Sequence, residues 1–287
     1  MENLNIIIPN PTQLEGKIQT FKQAGKDSIH ILTSFDKTLT KATFQGKKIV
    51  SFISKLRNGN YISKEYQEKA QELYNKYHPI EIFQTISQEE KNKSMKEWWT
   101  SHYNLLIDSG LNKETISKII EDMIKDKDIS LRDRVKEFLD ITKRENIPII
   151  IMSASGLGNV MVEFLKKQKA LENNITFISN ILEFNKEGKF TGIKDNRIIH
   201  TFNKNETELK SLSIYRELEK RKNVILMCDS LADLNMINGF NYNEIIKIAF
   251  YNNNEENLEQ FKANFDIIIT NDGSFDYVNE MMRKILE

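Results

Sequence analysis

Ile31-Leu32-Thr33-Ser34-Phe35-Asp36-Lys37-Thr38-Leu39-Thr40 is the stretch that decides how this chain is read. An apolar run rich in β-branched residues closes there on a tight polar cluster. That is the pattern of a buried strand delivering polar side chains at its carboxyl end. Residues two apart on a strand point the same way, so Ser34 and Asp36 share one side. Two carboxylates at such a place would supply a nucleophile and a general acid/base; here only the second is a carboxylate. Taken alone, Asp36-Lys37-Thr38 reads equally as a plain polar exit from a strand.

Comparable apolar runs occupy residues 28–33, 147–152, 223–228, 244–251 and 265–270. They are nearly continuous rather than alternating, and most precede a helical pattern. Strands of that kind predict a parallel sheet covered on both faces, with ligands at the carboxyl ends. Between the first two runs, residues 41–128 carry little strand character. Residues 65–77, 89–108 and 112–125 predict helices, and Ser87 with Glu90 three residues on forms a capping-box pattern. The insertion reads as a cap over the sheet or as an extra helical layer. Residues 181–193, centred on Asn185-Lys186-Glu187-Gly188, predict a β-hairpin.

Composition excludes several classes of function. Lysine plus arginine equals aspartate plus glutamate across the 287 residues, so the formal charge is zero. That argues against a general binder of nucleic-acid polymers. No window reaches the roughly 20 apolar residues of a membrane-spanning helix. Cys228 is the single cysteine, so no internal disulfide forms. The opening Met1-Glu2-Asn3-Leu4-Asn5 has neither a basic start nor a long apolar run, which predicts no secretory leader and a cytoplasmic protein. The acceptor patterns at Asn174-Ile175-Thr176 and Asn205-Glu206-Thr207 therefore read as coincidental.

Three further segments carry chemistry. Ser153-Ala154-Ser155-Gly156-Leu157-Gly158-Asn159 joins a strand to the helix predicted over 160–167. A small, glycine-rich turn there offers hydroxyls and backbone N–H groups to an anion, or is a plain tight turn. Lys204 sits between Asn203 and Asn205, where a lone lysine is ordinarily solvent-exposed. Cys228-Asp229-Ser230-Leu231-Ala232-Asp233 places two carboxylates at a strand end. They suit a hard cation, or Asp233 caps the following helix.

In this order the segments resemble the haloacid dehalogenase (HAD) superfamily, whose D-x-D-x-T signature residues 34–38 almost spell. More closely they resemble the cytosolic pyrimidine 5′-nucleotidase family. Asn10-Pro11-Thr12, Glu97-Trp98-Trp99-Thr100-Ser101-His102, Ile199-His200-Thr201-Phe202-Asn203-Lys204 and Asp229-Ser230-x-x-Asp233-Leu234-x-Met236 carry the likeness across nearly the whole chain. The resemblance implies an α/β fold: a HAD-like Rossmannoid core with a parallel sheet, built from 1–40 and 129–287. A helical cap at 41–128, inserted after the first core strand, would set substrate selectivity.

It also implies a Mg²⁺-dependent nucleoside 5′-monophosphate phosphohydrolase. Asp36 would be the general acid/base and touch Mg²⁺ through its carbonyl. Ser153, with Ala154 and Ser155 in the same turn, would bind the phosphate that Lys204 neutralises. Asp229 would ligate Mg²⁺, with Asp233 a ligand through water or a support. Glu97 and Trp98 would contact and stack a base. Three departures accompany the likeness. Ser34 stands at the nucleophile position, where the family has its phosphate-accepting aspartate, so this form is expected to be inactive or to trap substrate. The Ser153 turn is one residue longer than the family's, and Ala42 replaces an aromatic frequent at the cap entry. A non-catalytic nucleotide-binding protein and a nucleoside phosphotransferase share these motifs.

Overall fold

The computed structural model describes residues 5–83, 85–158, 160–205, 214–252 and 257–287. Asn159, Glu206, Thr207 and the first four residues of the sequence reading lie outside them. The chain opens with β1 (Ile6–Ile7) and α1 (Pro11–Ala24), then enters β2 (Ile29–Ser34). Asn10 caps α1 by accepting from the Gln13 backbone N–H at 3.0 Å, with Pro11 at the first helical position. A small hairpin, β3 (Thr43–Phe44) and β4 (Lys47–Lys48), leads into four helices: α2 (Phe52–Asn58), α3 (Lys64–Ile82), α4 (Gln88–Asp108) and α5 (Lys113–Lys125). The chain returns through α6 (Val135–Arg144), β5 (Ile149–Met152), α7 (Val160–Lys167), β6 (Ile175–Ile178) and a hairpin of β7 (Leu182–Phe184) and β8 (Phe190–Ile193). It closes with α8 (Tyr215–Leu218), β9 (Asn223–Cys228), β10 (Glu244–Tyr251), α9 (Leu258–Asn264), β11 (Ile267–Thr270) and α10 (Asp276–Leu286).

Seven strands form one sheet in the order β1-β11-β10-β9-β2-β5-β6. Every pairing is parallel except β1 with β11. Strand β2 is central, flanked by β9 and β5, and all its residues are buried. This is why the decisive run is continuously apolar: helices cover both faces, so no face needs polar residues. The carboxyl ends of β2, β5 and β9 lie side by side and bring Ser34, Ser153 and Asp229 to one edge of the sheet.

Helices α2 to α5, the inserted cap helices, lie between β2 and α6 in the chain. Each begins with a side-chain cap. Ser51, Ser63, Ser87 and Asn112 accept from the backbone N–H three residues on, in α2, α3, α4 and α5 respectively. The chain leaves for the cap and returns at neighbouring points: Thr40 bridges Leu131, and Lys41 N–H donates to the Ser130 carbonyl at 3.0 Å. Leu56, Tyr66, Ala70 and Tyr103 of the cap join one continuous hydrophobic cluster with Phe35 and Phe164 of the core. A second, smaller cluster of Tyr77, Met95 and Trp98 holds α3 to α4.

His102 of α4 lies between those clusters, 2% exposed, and shares a 3.1 Å hydrogen bond with the Tyr66 hydroxyl. Burial, with Arg57 nearby, pushes its imidazole down to about 4. A base whose folded value is depressed takes up a proton mainly on unfolding. Its stabilising contribution is therefore present above the unfolded value near 6.5 and is lost as pH falls toward 4. Urea unfolding at pH 7 and pH 5 should show the His102→Gln variant losing about 1–2 kcal/mol less stability over that interval than the parent chain. Equal losses would mean that His102 is not held neutral.

Candidate active site

Strand β2 ends at Ser34, and the chain then turns sharply, with Lys37 in the left-handed region at φ 57°. Phe35 points into the core against Phe164, while Ser34 and Asp36 both line a cavity of about 1090 Å³ at the sheet's carboxyl edge. The Ser34 and Thr38 hydroxyls share a 2.6 Å hydrogen bond across the turn. His30, four residues back, is buried within β2 and its Nδ1 meets the Arg221 carbonyl, so it does not serve as a base for Ser34.

The turn is held by Arg132, the largest fully buried side chain. Its Nε donates to the Thr38 carbonyl at 3.0 Å, and Nη2 donates to the Lys37 carbonyl at 2.6 Å and the Thr40 carbonyl at 3.3 Å. Nη1 donates to the Gly273 carbonyl at 3.0 Å and pairs with Asp272 at 2.9 Å. Asp272 in turn accepts from the backbone N–H groups of Ala42 and Thr43 at the entry to the cap, both at 2.9 Å. One guanidinium thereby joins the Asp36 turn, the loop after β11 and the cap entry. Burial lowers Arg132 to about 10 against the opposing pull of Asp272, so it stays charged at neutral pH.

Ser153 follows β5 directly, and its turn is set by two contacts. A Cβ on Gly156 would meet the Trp99 ring at 2.2 Å, and one on Gly158 would meet the Asn180 carbonyl oxygen at 1.3 Å. The buried Asn180 amide donates to the Ser155 carbonyl at 3.1 Å and the Ile199 carbonyl at 2.9 Å, and its oxygen accepts from Ile199 N–H at 2.7 Å. Asn180 thus fixes the Ser153 turn relative to the loop carrying Lys204. It was not legible in the sequence, since its partners lie far along the chain.

Lys204 is 8% exposed and pairs with Asp233 at 2.6 Å. Lys204 lines the cavity rather than the surface, where a lone lysine in a polar loop ordinarily lies: the loop is pinned by Asn180 and turned inward. Burial opposes the ammonium, but Asp233, and then Asp229, outweigh it and hold Lys204 above its usual value. Asp233 lies within a short 3-10 helix rather than capping one. Asp229 is pushed up to about 7 by burial and then by Asp233, with Lys37 and Lys204 opposing. Burial likewise raises Asp36, against Lys37 and Lys204.

Ser34, Asp36, Ser153, Ala154, Ser155, Lys204, Asp229, Asp233 and Trp98 all line the same cavity. Glu97 does not. It is exposed on α4 and accepts only a long 3.4 Å bond from the Tyr77 hydroxyl among the described residues, because one residue along a helix rotates the side chain by about 100° from Trp98. Trp98 lies parallel to Tyr77 and Trp99, with ring centroids 6.0 and 5.6 Å away, and is 6% exposed. Its ring is largely spent on packing. The more exposed Trp99 covers the Ser155–Gly156 turn. Arg57, Tyr74, His78 and Glu81 complete the cap side. Glu81 accepts from the Thr201 hydroxyl at 2.7 Å and so ties α3 to the Lys204 loop.

No three His, Cys, Asp or Glu side chains converge to hold a metal ion among the described residues. The donor chemistry still suits Mg²⁺. Burial and the neighbouring Asp233 raise Asp229, and a dication there would relieve that repulsion. Mg²⁺ ordinarily takes one or two carboxylates, with waters and substrate phosphate completing its shell.

The pyrimidine 5′-nucleotidase (UMPH-1) family model matches residues 37–286. The 7-methylguanosine phosphate-specific 5′-nucleotidase of Homo sapiens is 32% identical over 283 residues, covering 98% of this chain and 92% of that protein. Its Xenopus laevis counterpart A is 33% identical over 276 residues, with 96% and 93% covered. The crystal structure of cytosolic 5′-nucleotidase IIIB bound to cytidine superposes with a TM-score of 0.87 at 31% identity, covering 99% of this chain and 94% of the other.

The Arg132 clamp generates a test. Removing one partner of a buried ion pair costs about 3–5 kcal/mol. Arg132→Met should lower urea-unfolding stability by that amount, since it strands Asp272 and the carbonyls of Thr38, Thr40 and Gly273, while Lys37 keeps its bond from Asn252. A loss below ~1 kcal/mol, the size of an ordinary substitution, would show that the turn holds itself.

Proposed function

The chain belongs to the pyrimidine 5′-nucleotidase family, and on that premise we propose that it is a nucleoside 5′-monophosphate phosphohydrolase scaffold. In this form the missing nucleophile leaves binding intact and turnover very low. The observation that carries the reading is the meeting of Lys204, Ser153, Asp36 and Asp229 at one end of a cavity whose other end is aromatic. A dianionic phosphate finds an ammonium and a hydroxyl-bearing turn there, and a nucleoside finds ring faces.

In the reaction, Lys204 and the Ser153 turn hold the phosphate, and Trp99 with the cap excludes bulk water. Asp36, with its carboxyl raised by burial, donates a proton to the leaving ribose oxygen and later takes one from the attacking water. Asp229 and the Asp36 carbonyl, supported by Asp233, would hold Mg²⁺. Bound there, the ion would neutralise phosphate charge and align the oxygens for in-line displacement. The step that fails is the first. An aspartate at position 34 would attack phosphorus to form an acyl-phosphate, releasing the alcohol. Ser34 has no carboxylate, and its hydroxyl is already hydrogen-bonded to Thr38.

That hydroxyl also favours a second reading, a nucleotide-binding protein without catalysis; a nucleoside phosphotransferase would need the same nucleophile and be slowed alike. The absence of any helix long and apolar enough to cross a membrane among the described residues fits the cytosolic setting proposed for it.

Phosphate release from nucleoside monophosphates with Mg²⁺ should rise by about three orders of magnitude or more in Ser34→Asp, the scale on which covalent enzymes depend on their nucleophile. Equal rates in the two forms would place catalysis elsewhere.

A further inference from the structure

Three arginines illustrate how this fold treats a guanidinium drawn in from the surface. Arg132 spends its donors on four backbone carbonyls, Asn252 and Asp272. Arg221 donates to the carbonyls of Lys26, Ile29 and Asn146 and pairs with Glu217 at 3.1 Å. Arg57, in the last turn of α2, is different. It lines the cavity opposite the phosphate end, and its Nε is fully buried with no hydrogen-bond partner. Among the described residues it makes no hydrogen bond and no ion pair. Glu68 and Glu72 border its outer side, but neither comes within ion-pair distance, and Glu68 faces Lys64 at 3.6 Å instead. The guanidinium carbon sits 3.9 Å over the Tyr74 ring, which fixes the plane of the fork and leaves its edge for hydrogen bonds. Its field reaches the cavity wall, since it helps to keep His102 neutral.

Arg57 is half-buried, and the part of its charge held from water without a partner costs free energy that an acceptor-bearing ligand would recover. The rest of the cap wall does not supply it. Glu81 is engaged by Thr201, and Lys91 adds a second positive charge beside it. We infer that Arg57 selects the base: it accepts a neutral nucleobase presenting a carbonyl edge and rejects a cationic one. The inference rests on the nucleotide-binding reading above. It sets this chain apart from the relatives named for 7-methylguanosine phosphate. N7-methylation makes guanine cationic and removes the N7 acceptor, leaving O6 alone where an arginine fork pairs with O6 and N7 together.

Guanosine 5′-monophosphate and its 7-methyl derivative differ in that one group, which makes them the probes. Calorimetric titration of the chain as it stands, with Mg²⁺ and at a pH low enough to keep the methylated base charged, should give guanosine monophosphate about tenfold tighter binding, within the range of one bidentate arginine–base contact. Arg57→Gln should bring the two affinities to within about threefold, weakening the first and strengthening the second. Arg57→Lys keeps the charge but not the fork, so it should still reject the methylated base while losing affinity for the unmethylated one. Inorganic phosphate, titrated into each variant, reports that the fold and the phosphate end are intact. Equal or tighter binding of the methylated nucleotide by the parent chain, or an unchanged ratio in Arg57→Gln, overturns the inference alone. Failure of the parent chain to bind phosphate and either nucleotide overturns the nucleotide-binding reading, and this inference with it.

Discussion

Everything at the sheet edge depends on Arg132. The turn after β2 aims the carbonyls of Lys37, Thr38 and Thr40 at the buried Arg132, and a buried carbonyl without a donor is costly. Arg132, with its side chain fully buried, supplies donors to all three and is itself neutralised by Asp272. Because Asp272 also holds the backbone of Ala42 and Thr43, the geometry of Asp36 and the seating of the cap are set by one charge pair. Neither can shift without stranding the other.

The electrostatics of the cavity follow from that arrangement. Asp36 and Asp229 are held where burial and neighbouring carboxylates favour protonation, and Lys204 with Lys37 offsets only part of it. Such a site gains from a cation on the carboxylate side and a dianion on the lysine side. The cap end has the opposite character: stacked rings, two histidines and the unspent charge of Arg57. Phosphate and base are thereby recognised by different means at opposite ends of a single cavity.

How much of this the sequence discloses depends on the range of the interactions. The five apolar runs all became strands of the sheet, because a strand covered on both faces must be apolar throughout. The boundaries moved by one or two residues where helices or caps claimed the ends. Strand β1 has only two residues and pairs at an edge, and β6 is interrupted by Thr176, so neither stands out from its neighbours. The short α2 was equally silent, and Arg57 with it. Ser34, Asp36, Ser153 and Asp229 were legible because each sits just beyond an apolar run. Arg132 and Asn180 were not: their roles exist only through partners distant in the chain. Lys204 gives no local sign of its burial for the same reason, and Glu97 lies outside the cavity because its neighbour Trp98 takes the inward face of α4.

The most direct measurement is a crystal structure of the chain as it stands with guanosine 5′-monophosphate and Mg²⁺, since slow turnover should let the intact nucleotide persist. The account predicts the phosphate within hydrogen-bond reach of the Ser153 hydroxyl and the Lys204 ammonium, with the base edge at Arg57. A phosphate bound anywhere other than the carboxyl edge of β2, β5 and β9 would contradict it.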